Sequence, residues 1–316
     1  MIKNGLSIRF TEVGKIKIGG HGEHRKTKDG KDYQLPIRYE HFVVTTTEKN
    51  KDTGNFIPDI ALMEKLGTEP KEIPIRLPFD DIDMNFFTSF QYYQGNKCLC
   101  RCDGVNATRW TKEGIEQHIK CNPDKCEFLQ PDEKGATRCK PSGILSCHIP
   151  LSMEVGGIYR FRTHSWNTVS GILASLRYIS DNTNGILQGL PLKLKFLKKA
   201  TQDHGNVSIV TIVLDGIEMM AMREKALTEF QNRKQLGINM KRLENQAKAV
   251  GFLDDNDDPG DVEAEFYAVE ECEPVREPEK PGASADDVKA KLDEKSEKAA
   301  KTETKPATTD KQGSLI

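Results

Sequence analysis

The chain has 316 residues, 36% of them hydrophobic and 30% charged, with a net charge of −2. That supplies a core for part of the chain but is lean for one compact globule throughout. No run approaches the roughly 18 apolar residues that a membrane span needs. The N-terminus, MIKNGLSIRFTEVGK, lacks the apolar stretch of a signal peptide. A cytoplasmic setting is therefore expected, in which the 8 cysteines serve as thiols or metal ligands rather than disulfides. Charge is unevenly spread. Residues 251–316 hold 19 acidic and 9 basic residues, a net of −10, which leaves residues 1–250 with 37 basic and 29 acidic, a net of +8. A mildly basic body with an acidic tail suits association with nucleic acid or with a nucleic-acid-binding partner, and equally a solvated, charge-balanced surface.

In chain order, Gly19 to Asp32 is polar, basic and glycine-rich, and reads as an exposed loop or mobile arm. IRYEHFVVTTT (residues 37–47) alternates and is β-branched, as a strand does. PDIALMEKLG (58–67) opens on proline and stops on glycine, the signature of a short helix. Residues 72–79, 89–94 and 158–164 read as strands, and KCLCRCDG (97–104) alternates and ends in a turn. From Thr168 to Ser180, one helical face collects Val169, Ile172, Leu173, Leu176 and Ile179, with Asn167 as the expected cap. Residues 191–200 and 207–216 form a strand pair. The reading up to residue 216 is an α+β domain.

Residues 217–250 contain no proline and read as one long amphipathic helix. Leu236, Met240, Leu243, Ala247 and Val250, spaced 4, 3, 4, 3, mark a seam that serves either the domain itself or a partner. Residues 251–316 read as an acidic, mostly disordered tail whose one apolar patch is VEAEFYAVEE.

Seven of the 8 cysteines lie between Cys98 and Cys147. Structural zinc takes four tetrahedral thiolate or imidazole ligands, and a pair a few residues apart on a tight turn presents two at once. Cys121 and Cys126, around Asn-Pro-Asp-Lys, form such a pair, and Cys139 follows a polar loop that closes the site. The fourth ligand is open. Cys98, Cys100 and Cys102 share one side of an alternating strand, with Cys102 preferred, Cys100 the alternative and His118 a weaker candidate. Free thiols without metal are the competing reading.

Motifs for catalysis are missing: no H-E-x-x-H, no G-x-S-x-G elbow, no Walker loop and no dinucleotide turn occurs. His21 and His24 read as surface residues. Asp80, Asp81 and Asp83 form an acidic cluster that fits a solvated turn or, as the less favoured reading, a hydrolytic metal site. Arg109 beside Trp110, and Arg160, Arg162 and His164 around Phe161 and Trp166, are basic-aromatic segments. The last three share one strand face that can meet phosphates or an acidic protein surface.

Four blocks in this order, CRCDGVNATRW, CKPSGILSCHIP, GGIYRFRTHSWNTVSGILASLRYI and GLPLKLKFLKKA, resemble the phage and prophage recombination directionality factors that partner large serine integrases. The resemblance covers about residues 1–216. It implies a non-enzymatic switch subunit, acting in the cytoplasm of a bacterial host, that binds the integrase on its DNA and turns site-specific recombination from integration toward prophage excision, with weak or no direct DNA binding. Only the metal positions carry over: Cys121, Cys126 and Cys139 with Cys102 or Cys100. The candidate partner-contact residues are Arg160, Arg162, His164, Leu236, Met240 and Leu243. A zinc-containing nucleic-acid-binding protein is the alternative.

Overall fold

The computed structural model describes residues 10–26, 32–94, 97–111, 114–122, 124–126, 128–130, 138–152, 154, 156–201 and 205–249. The acidic tail lies outside the described residues. In chain order the first elements are β1 (Thr11–Lys26), β2 (Asp32–Lys49), β3 (Phe56–Pro58), α1 (Ile60–Leu66), β4 (Glu72–Ile75), α2 (Ile82–Asn85) and β5 (Phe86–Gln94). Next come β6 (Lys97–Cys102), β7 (Asn106–Trp110), β8 (Ile115–Lys120), β9 (Cys139–Cys147), β10 (Gly157–Thr163) and α3 (Trp166–Asn182). Last are β11 (Leu192–Thr201), β12 (Gly205–Leu214), α4 (Met219–Leu236) and α5 (Met240–Ala249). The mixed α+β expectation holds, with strands predominating.

Nine strands form one sheet in the order β3-β2-β1-β10-β9-β5-β6-β7-β8, and β12-β11-β4 form a second. In the large sheet, β1 and β10 run parallel, and the other pairings are antiparallel. One apolar cluster joins the inner residues of both sheets to α3. It includes Ile16, Phe42, Ile75, Leu145, Phe161 and Leu194, together with Val169, Ile172, Leu176 and Ile179 from the stripe expected on α3. Phe42 meets Phe161 and Phe196 edge-on. Gly143 on β9 has no room for a side chain, since an added Cβ would lie 2.5 Å from the Phe86 ring. Among the described residues, no helix is long and apolar enough to cross a membrane.

Three expectations need correction. Gly19 to Lys26 is not a free arm, because β1 continues through it and pairs with Asp32–Arg38. Backbone pairing needs no particular side chain, and Asn55 clamps the strand: its Oδ1 accepts from the His21 N–H (2.6 Å) and its Nδ2 donates to the His21 carbonyl (2.9 Å). The α3 cap is Ser165 rather than Asn167, with its Oγ accepting from the Thr168 N–H.

The long helix is two helices. Gly237 takes a left-handed φ of 69°, and Ile238 N–H closes back on the Arg233 carbonyl at 2.8 Å. This is a glycine C-cap, and Asn239 Oδ1 then accepts from the Arg242 N–H to open α5. The expected seam is therefore cut between Leu236 and Met240.

The helical pair is fastened to the body by polar contacts. Arg233 is 7% exposed, and its Nη1 donates to Asp80 Oδ2 at 2.5 Å. Asp80 Oδ1 accepts from the N–H groups of Leu187 and Gln188, both at 2.9 Å. Glu244, 6% exposed, accepts from the N–H groups of Asp80 (2.7 Å) and Asp81 (3.0 Å), and Lys248 reaches Asp81 Oδ2 at 2.5 Å. Met222 and Ala226 add the apolar part of the contact. Removing one member of such a set strands the others. Asp80→Ala is expected to lower unfolding stability by about 3 kcal/mol, and Glu244→Ala by about 2 kcal/mol, with sub-additive loss in the double variant, as read by chemical denaturation.

Candidate metal centre

The cysteine module is the far end of the large sheet plus the chain that crosses it. β6 lies between β5 and β7, with Cys102 opposite Phe90 and Ala107, and Cys100 opposite Tyr92 and Arg109. Cys102, Cys100 and Ala107 form a small buried cluster of their own, packed by Phe90, Tyr92, Ile119, Cys121 and Phe128. Tyr92 stacks on Phe128 at 4.5 Å between centroids, and the Arg109 guanidinium sits 4.9 Å from the Phe128 ring. Cys121 is fixed where its N–H donates to the Val105 carbonyl at 2.7 Å. Asn122 Oδ1 then accepts from the Asp124 N–H, an Asx turn that reverses the chain toward Cys126. Cys126 receives the N–H groups of Leu129 and Gln130, and the Cys139 N–H donates to the Phe128 carbonyl at 2.6 Å, which brings β9 under the loop.

Cys121 packs on the Cys100–Cys102 cluster, and Cys126 and Cys139 lie near enough to act on these thiols electrostatically. Burial, and then the neighbouring Cys102, Cys100, Cys126 and Cys121, push the Cys139 thiol up to about 12. Burial, followed by a hydrogen bond with Cys121 and the proximity of Cys121 and Cys100, pushes Cys102 up to about 12. Burial also raises Cys100, opposed by a hydrogen bond from Arg109. Among the described residues, no group of three or more His, Cys, Asp or Glu side chains is disposed as metal ligands. The donor chemistry nevertheless fits zinc. Soft sulfur donors are what zinc prefers, and for Cys100, Cys102 and Cys139 the thiolate charge is disfavoured by burial and by neighbouring thiols, the penalty a divalent cation relieves. Cys102, Cys121, Cys126 and Cys139, with Cys100 as the alternative to Cys102, are the residues that would hold it.

Cys98 does not share the face expected for it. The ladder slips by one residue between Tyr92 and Tyr93, so Cys98 stands opposite Tyr93. Burial raises its thiol, while Arg101 and a hydrogen bond with Tyr93 oppose the shift. A one-residue bulge moves a side chain to the other face, and nothing in the alternating KCLCRC pattern announces it. Cys147 sits apart too. It is fully buried in the main core, and burial pushes its thiol up to about 12.

The other candidate residues fall elsewhere. The side chains of Arg160 and Arg162 are 14% and 6% exposed, so they do not form the expected exposed basic face. They lie 3.4 and 3.5 Å from Glu12, which also pairs with Lys15 at 2.6 Å. Glu12 is 148 residues away in sequence from Arg160, so only the β1–β10 pairing reveals the partner. His164 Nδ1 lies 3.0 Å from the Pro141 carbonyl, at the edge of the module. Trp166 is exposed and stacks on Phe90. Leu236 and Leu243 are exposed and Met240 is half-buried. Asp80 and Asp81 hold the helical pair as described above, while Asp83 is exposed. His21 is half-buried; the side chains of His24 and His118 lie outside the described set.

A family model described as Gp3-like, recombination directionality factor-like, matches residues 13–219. The chain belongs to that family. The match spans both sheets, α3 and the whole cysteine module, and stops where α4 begins. Membership gives the chain a role in phage recombination. A comparison with curated proteins returned no match.

Two outcomes are expected. If these thiols hold zinc, the wild-type protein is expected to carry it and Cys126→Ser to lower the metal content and to make the chain around Cys121 and Cys126 more sensitive to proteolysis, because structural zinc couples about 10 kcal/mol or more of binding to folding. Cys98→Ser should keep full metal content, and both are read by metal analysis and limited proteolysis. Cys147 carries a pH signature. Its folded pKa is raised above the ordinary 9.0, so its contribution is fully present below about pH 9 and lost as pH climbs toward about 12. Cys147→Ala should cost about 1–2 kcal/mol at neutral pH but make the alkaline fall in melting temperature shallower.

Proposed function

We propose that the chain is a recombination directionality factor that binds a large serine integrase and shifts site-specific recombination from integration toward prophage excision. It performs no bond chemistry itself; the strand exchange belongs to the integrase. The observation that carries this reading is the family match over residues 13–219, which takes in the full sheet framework and the cysteine module. Zinc, held by Cys121, Cys126 and Cys139 with Cys102 or Cys100, would fix the β6–β9 end of the sheet and supply no open position for catalysis.

Directionality of this kind is a coupling free energy between one protein–protein interface and the choice of synaptic complex. Turning a 1:99 preference into 99:1 requires the factor to bind the excision-competent assembly about 10⁴-fold more tightly than the integration-competent one. Direct DNA binding is expected to be weak. The arginines that suggested a phosphate-binding strand, Arg160 and Arg162, are enclosed and paired with Glu12.

The test is in vitro recombination with a large serine integrase from a phage or prophage that encodes this chain, with and without the protein, on both pairs of attachment sites. Excision should be switched on and integration suppressed. An unchanged ratio of the two reactions, with no binding to the integrase, would reject the proposal and turn attention to nucleic acid.

A further inference from the structure

The helical pair α4–α5 lies beyond the family match and keeps an unusual outer surface. Its inner side is fixed by Met222, Ala226, Arg233 and Glu244. On the outer side of α4, Met220, Leu227 and Phe230 are 63%, 58% and 50% exposed. With Arg223 and Lys234 between them, they fall within about 80° of one another at the helical repeat. This is a stripe of apolar contacts laced with positive charge and free of carboxylates. Residues 219–249 carry seven basic and three acidic side chains.

The chain supplies a complement to that stripe. From Asp254 to Glu273 it has ten acidic residues and no basic one. Within it, Val262, Phe266 and Val269 are spaced 4 and 3, the pattern of an amphipathic helix that lays one apolar face on a partner surface. The tether is long enough. Val262 is 13 residues past Ala249, the end of α5, a reach of up to about 43 Å when extended. α4, with 18 residues, is about 27 Å long. Stripe and complement both lie in the part of the chain that the family match does not cover.

We infer that the acidic segment 254–273 docks on the outer stripe of α4 in the same chain. Phe266 and the apolar residues spaced with it, Val262 and Val269, cover Leu227 and Phe230, and the flanking carboxylates meet Arg223 and Lys234. Tethering keeps the local concentration of the segment high, so even weak contacts give substantial occupancy. The face is then masked by the chain's own acidic segment, and a partner that needs it must displace that segment. Only this last consequence rests on the function proposed above.

The test places a photoreactive benzoylphenylalanine at position 230 of the full-length protein, with a second probe at position 220 in case the first disturbs folding. After irradiation, the adduct is mapped by mass spectrometry. The expected product is monomeric and joins position 230 to a peptide within 254–273. Leu227→Glu, or Phe266→Ser with Tyr267→Ser, should lower its yield about tenfold, as expected when about 1.4 kcal/mol of contact is removed. Raising ionic strength from about 0.05 M to about 0.5 M, which shortens the screening length several-fold, should lower it as well. An adduct of dimer mass would show that the stripe meets a second copy and would overturn the inference. So would the absence of adducts within 254–273 from both probes, or a yield indifferent to the substitutions in a protein that melts normally.

Discussion

The large sheet depends on one strand pairing with both of its neighbours. β5 pairs with β9 on one side and β6 on the other, both antiparallel. Phe86, Phe90 and Tyr92 lie on the same face of it. Phe86 is wholly buried in the main core, whereas Phe90 and Tyr92 pack on Cys100 and Cys102. The cysteine module has only a handful of buried apolar residues and would not hold itself together by burial alone. Its place is set by the continuous backbone ladder through β5. That ladder delivers the thiols of β6 and the start of β9 to the same side of the sheet, where the 121–126 turn can close over them.

Buried charge plays a second organising part. Glu12 gathers Lys15, Arg160 and Arg162 on the β1–β10 pair, and Asp80 gathers Arg233 and two backbone N–H groups at the base of α4. Such sets add little net stability over an apolar packing of the same volume, since each charge loses its hydration. Their geometry is demanding, however: a helix rotated by one residue would leave a carboxylate alone. They select one arrangement among several that apolar burial would accept.

Much of this fold was legible from local pattern. The stripe on α3, the Gly67 stop of α1 and the β11–β12 pair follow from periodicity and caps, whereas α1 starts on the Asp59 cap and Pro58, expected to open it, ends β3. Cys121, Cys126 and Cys139 were grouped from spacing; the structure packs Cys121 on Cys100 and Cys102, but among the described residues it disposes no three such donors as metal ligands. What escaped was set by pairing between distant segments. The slip at Tyr92/Tyr93 that turns Cys98 away depends on β5, and the enclosure of Arg160 and Arg162 depends on Glu12. The joint between α4 and α5 did have a local sign, Gly237. The helix formers on either side outweighed it, although a left-handed cap stops a helix whatever surrounds it.

The fastening of α4 and α5 also bears on how such chains diversify. Both halves of the joint are needed: Arg233 and Glu244 come from the helices, but Asp80, the backbone of Asp81 and the 187–188 turn come from the part of the chain that the family match covers. The helical pair is therefore not a portable cassette. A relative that acquired residues 219–249 alone would receive an arginine and a glutamate with nothing to grip. A chimera between family members has a sound joint only when the LPFDD corner travels with the helices, so the recombination points between such genes are constrained by a contact that spans more than 150 residues of sequence.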